Sequence, residues 1–166
     1  MTSFQLPARL AQLATLFLFV FATAASQAQT RYTVSADGQE VLDTQTNLLW
    51  RRCAEGTQWD SKTCKGKPTK FKFAVTKAAA EKVAKETDKA WRVPTKDELG
   101  GLVVKSKTKP RIDATAFPNT PAALFLSSRP GFDDGLNAWL VHFGNGRAYG
   151  YTGQGKFHLR LVRAAP

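Results

Sequence analysis

The chain has 166 residues, 24 of them Lys or Arg against 13 Asp or Glu, for a formal charge of +11. That length makes one domain of ordinary size, able to bury a real core without many staples. The spacing lacks a second Cys or His pair to complete a zinc site beside Cys53 and Cys64.

Residues 1–28 read as a secretory signal. Arg9 supplies the positive start, Leu10 to Ala25 is apolar, and Ser26-Gln27-Ala28 places small residues at a cleavage site. The strongly apolar part, Leu13 to Ala25, is shorter than the ~20 residues a spanning helix needs. The expectation is an exported domain over 29–166, periplasmic or at the cell surface, with no transmembrane anchor in the mature chain. Loss of Arg9 leaves 23 basic residues against 13 acidic, or +10.

Short strands are expected at Arg31–Val34, Glu40–Leu42 and Leu48–Arg52, with a turn at Asp37-Gly38 between the first two. Cys53 and Cys64 are an even pair in an exported chain, which predicts a structural disulfide. The segment from Ala54 to Thr69 reads as a polar, basic loop with Trp59 its only large apolar group. From Phe73 to about Thr87 the pattern turns helical, with Val75, Ala78, Ala79 and Val83 on one face.

Trp91 to Leu99 is the most informative stretch. Pro94 favours an extended Val93, and Thr95-x-x-Glu98 forms a capping box for a second helix reaching about Lys105. Gly100-Gly101 costs that helix ~1 kcal/mol per glycine relative to Ala, so it either packs closely there or ends early. Beyond Pro110 the chain is loop-rich and then strand-like at Ala123–Ser127, Ala138–Phe143, Arg147–Tyr151 and His158–Arg163. Gly144-Asn145-Gly146 marks a hairpin. Strands, two helices and a run of antiparallel strands define an α+β domain.

The ordered motifs resemble those of the Lcl C-terminal domain family, also called domain of unknown function 1566. They are Asp43-x-x-Thr46-Asn47-Leu48-Leu49-Trp50-x-Arg52-Cys53, Gly56-x-x-Trp59-Asp60-x-x-x-Cys64-x-Gly66 and Trp91-Arg92-Val93-Pro94-Thr95 with Glu98-Leu99. Ile112-Asp113, Phe117-Pro118-Asn119-Thr120-Pro121, Phe125-Leu126-Ser127-Ser128, Ala138-Trp139-x-Val141-x-Phe143 and Leu159–Arg163 complete the series. The family usually carries Tyr-Trp where this chain has Phe125-Leu126. The resemblance implies a compact C-type-lectin-like fold, exported and often surface-associated. The family takes its name from a collagen-like adhesin whose terminal domain binds sulfated glycosaminoglycans. This chain has no Gly-x-y repeat, so that adhesin's trimeric stalk does not carry over. The signature Trp and Arg residues read as fold-defining rather than ligand-contacting.

Lysines cluster at Lys62, Lys65, Lys67, Lys70 and Lys72 and again at Lys105, Lys107, Lys109 and Arg111. Such runs attract polyanions, and export argues against nucleic acid as the partner. Tyr149 and Tyr151 share one face of a strand and could stack on a sugar. Asp133, Asp134 and Asn137 offer oxygen ligands for calcium, without an EF-hand pattern. His142 and His158 are the only imidazoles, and no Ser or Cys stands in a nucleophile context. A formylglycine-generating-enzyme-like activity needs reactive cysteines late in the fold, whereas both here are early. No catalytic residue and no cofactor are therefore expected. The sequence points to a non-enzymatic binding or adhesin-like domain for an anionic glycan or envelope polymer. The alternatives are a protein-interaction module with an apolar patch near Phe125 and Leu126, and a calcium-assisted lectin.

Overall fold

A computed structural model describes Met1 and residues 30–128 and 138–166. The signal expected over 1–28 lies outside these residues except for Met1, as do Asp133, Asp134 and Asn137. None of the described helices is long and apolar enough to cross a membrane.

The first sheet takes β1 (Tyr32–Val34), β2 (Glu40–Asp43), β3 (Leu48–Arg51) and, from the far end of the chain, β11 (Val162–Ala164), in that order. All its pairings are antiparallel. Trp50 pairs with Val41 on one side and Val162 on the other, and this row is at most 1% exposed. A small hairpin follows, β4 (Gln58–Trp59) and β5 (Cys64–Lys65), inside the segment read as loop. Its pairing sets Trp59 against Cys64, and the Cys53–Cys64 disulfide ties it back to the end of β3.

The second sheet has the order β6-β10-β7-β8-β9, from β6 (Lys70–Lys72), β10 (Lys156–His158), β7 (Leu124–Leu126), β8 (Ala138–His142) and β9 (Arg147–Tyr151). The antiparallel expectation fails at one place, because β10 runs parallel to β7. The strand expected over His158–Arg163 is in fact two pieces, one in each sheet. Between them Leu159, Arg160 and Leu161 are all fully buried, and the Leu159 and Leu161 carbonyls accept from the amides of Glu55 and Arg51. With β10 in one sheet and β11 in the other, the chain crosses from sheet to sheet through this buried run.

A 3-10 turn at Phe73–Val75 leads into α1 (Thr76–Thr87). The face expected from Val75 and Ala78 is displaced: both are exposed, and Thr76 and Ala80 are the buried positions. The helix α2 (Lys96–Gly101) has the full Thr95–Glu98 capping box. It stops at the glycines, and a Cβ on either would meet nothing within 4 Å. The early end, not close packing, accounts for Gly100-Gly101.

Two apolar clusters flank the second sheet. One joins Val41, Trp50 and Val162 to Phe125, Val141, Phe143, Leu99 of α2 and Leu102 at its C-cap. The other sets Leu126, Leu140, Leu159 and Leu161 against Ala80 and Trp91. Phe125 and Phe143 meet edge to face at 5.0 Å, both fully buried; truncating either costs ~3–5 kcal/mol.

Candidate functional site

Strand pairing in the second sheet assembles a basic end. Lys72 at the end of β6 pairs across to Lys156 at the start of β10. Phe125 of β7 pairs with His158, so Lys156 stands level with Ala123, whose carbonyl accepts from the Phe143 amide. The Phe143 carbonyl in turn accepts from the Arg111 amide. Arg111 also donates from Nη1 to the Asn145 carbonyl at 3.1 Å, in the β8–β9 turn. Lys72, Lys156 and Arg111 thus lie at one end of one sheet. Four inter-strand steps, about 19 Å, separate β6 from β9.

The turn itself requires Gly146, at φ +74, where a Cβ would press on Val103. Its neighbour Arg147 is exposed, and Asn145 donates to the Tyr149 hydroxyl at 2.8 Å. Lys105, Lys107 and Lys109 are exposed on the loop that delivers Arg111. Among the described residues none of Lys67, Lys70, Lys72, Lys105, Lys107, Lys109, Arg111 or Lys156 pairs with a carboxylate. Lys65 does: its ammonium lies 2.7 Å from Asp60. That contact, with the amides of Thr63 and Lys62, holds the Asp60 carboxyl well below the usual range.

The two tyrosines share a face but not a role. Tyr149 is 41% exposed, whereas Tyr151 packs edge to face on Phe157 at 4.9 Å and its hydroxyl accepts from the Gly155 amide. Of the two, Tyr149 has the more exposed ring. Phe125 and Leu126 are both fully buried, so neither contributes to the apolar surface patch expected near them. His142 faces away from Val141 and Phe143, and its Nδ1 accepts from the Gly144 amide at 2.8 Å. His158 lies buried against the Phe125 ring. Lys156 and Arg147 were not legible as site residues. A lone Lys and a lone Arg outside any run carry no signal until strand pairing places them.

The residues of the sequence signature serve the interior. Trp50 and Trp91 are 1% and 6% exposed. The Arg52 guanidinium lies 3.6 Å from the Trp59 ring centroid and donates to the carbonyls of Ala116 and Thr115. It clamps the disulfide hairpin to the loop around Phe117. Arg160, fully buried, donates to the carbonyls of Arg51 and Arg52 and to the Thr120 hydroxyl. The profile of the Lcl C-terminal domain matches residues 39–163, from β2 to β11.

The chain belongs to the Lcl C-terminal domain family. No curated protein and no solved structure matches it. Within this Lcl C-terminal domain the signature builds the scaffold, and the basic end is built mostly from residues outside the signature.

Proposed function

We propose that this protein is an exported, non-enzymatic binding domain of C-type-lectin-like architecture that recognises an anionic glycan or cell-envelope polymer. The observation that carries the reading is the Lys72–Lys156 pair, two lysines directly opposed across strands at a sheet end that also holds Arg111. Like charges directly opposed are destabilising, so a polyanion bridging them recovers free energy that the free protein gives up. The lysine-rich loop leading to Arg111 enlarges the same field. Tyr149, exposed beside Asn145, adds a surface on which a sugar ring can pack.

The test is binding to heparin and to a charge-matched non-glycan polyanion across a salt series, with calcium and chelator in parallel. Heparin binding that outlasts the control as salt rises supports a shaped glycan site, because bulk attraction is screened equally for both. Equal loss of both removes the glycan reading.

A further inference from the structure

A groove of 770 Å³ opens between the disulfide-closed loop and α1. Its floor is apolar: Phe71 of β6 with Ala79 and Val83 of α1. Trp59 forms one wall, its ring fixed by the Arg52 guanidinium and packed against Gly38. The rim is charged but balanced. Arg51 lies 3.2 Å from Glu55, Lys65 lies 2.7 Å from Asp60, and Lys82 lies 3.6 Å from Glu86. In a chain of +11 this groove is therefore a place without net charge, and it offers a polyanion no advantage.

Glu55 lines the groove and is 9% exposed. Its Oε1 is shut off from solvent, 3.2 Å from Arg51 Nε, so the groove reaches Glu55 only through the tenth of the side chain that stays exposed. Burial pushes the Glu55 carboxyl up, and the Arg51 and Arg160 charges pull it back. A buried carboxylate short of donors favours a ligand that brings O–H or N–H groups. Gln58, exposed on the same lining, adds an amide that can donate and accept. The volume falls in the range of small-molecule sites, which join apolar walls to a few polar groups.

The ligand that fits carries no net charge, one apolar face for the floor and a rim of hydroxyl donors. We propose that this groove is a second site, distinct from the basic end, that takes a neutral sugar ring. The apolar C–H face lies on Phe71, Ala79 and Val83, and ring hydroxyls donate to Glu55 and bond to Gln58.

The experiment titrates the purified protein with glucose, galactose, mannose and N-acetylglucosamine at salt high enough to screen surface charge. It follows the Trp59 indole N–H by NMR. At least one sugar should shift that resonance saturably. Ala79→Phe, which fills the groove, should weaken that binding at least tenfold and leave heparin binding unchanged. Gln58→Ala, at an exposed position, should weaken it severalfold. Four sugars without effect on Trp59, or sugar binding unchanged in both variants, would overturn the proposal. Heparin binding is read separately, so the two sites stand or fall independently.

Discussion

Lys72 on β6 and Lys156 on β10 are direct cross-strand partners, with no carboxylate to separate their charges among the described residues. A sheet optimised for stability alone would set a carboxylate opposite one of them. Lys156→Glu should therefore raise stability by about 0.2–1 kcal/mol. It should also weaken heparin binding and reduce its salt dependence. A thermal melt and a salt titration on the same variant check both halves. Stabilisation with unchanged heparin binding would remove the pair from the site.

Arg160 is expected to be the most sensitive buried polar residue. Its guanidinium reaches the Arg51 and Arg52 carbonyls and Thr120 together, which only a planar fork can do. Arg160→Ala leaves those acceptors without their donor and the Glu55 carboxylate with Arg51 as its one remaining named cation, and should cost about 3–5 kcal/mol. Arg160→Lys should not restore the loss. Urea denaturation of both variants measures it, and full rescue by Lys would show that charge alone matters.

Glu98 receives the Arg92 guanidinium at 2.6 and 2.8 Å and closes the capping box on Thr95. The Arg92 contact, against the cost of burial and with the Thr95 amide, holds its carboxyl below the usual 4.5. Burial raises the Asp43 carboxyl, but the Arg31 fork and the Gln45 amide outweigh it, so it too is lowered. A carboxylate with a depressed folded pKa adds stability that is complete above the unfolded value and lost as pH falls through the folded one. The contribution of these two carboxylates to melting temperature should thus hold down to about pH 4.5 and fall below it. Glu98→Gln should flatten part of that fall. Thr95→Ala should cost about 1 kcal/mol at neutral pH.

His158 works in the opposite chemical sense. Burial, then the nearby Lys70 ammonium, holds its imidazole below the ordinary 6.5, with the Thr69 carbonyl partly offsetting. The unfolded chain takes up that proton first, so stability present above pH 6.5 is lost as pH falls below it. Lys70→Met should lessen the loss of melting temperature between pH 7.5 and 5.5. An unchanged pH profile would show that Lys70 does not act on His158.

The disulfide closes a loop of separation 11 that carries Trp59 and one wall of the groove. Replacing both cysteines by Ser should cost about 3 kcal/mol on the chain-entropy account. It should also broaden the Trp59 indole resonance. Melts of oxidised and reduced protein give the first quantity, and the NMR spectrum gives the second.

Local chemistry accounts for what the sequence by itself determined. Thr95 and Glu98 are three residues apart, so their capping box is decided within one helical turn. Gly144-Asn145-Gly146 specifies a hairpin for the same reason, and Cys53 and Cys64 bond across a short loop. The family is also legible, because its signature residues are scaffold residues in fixed order. Tertiary structure decided the rest. The final strand divides at Leu159–Leu161 because its partners lie in two different sheets, which no local pattern encodes. Lys156 became a site residue only when β6 paired with β10, residues about eighty positions apart. Phe125 and Leu126 left the surface because each face of β7 meets its own apolar cluster. Tyr151 became a packing residue because Phe157 returned beside it. Side-chain partners distant along the chain set burial and charge at a site, and strand pairing is what brings them together.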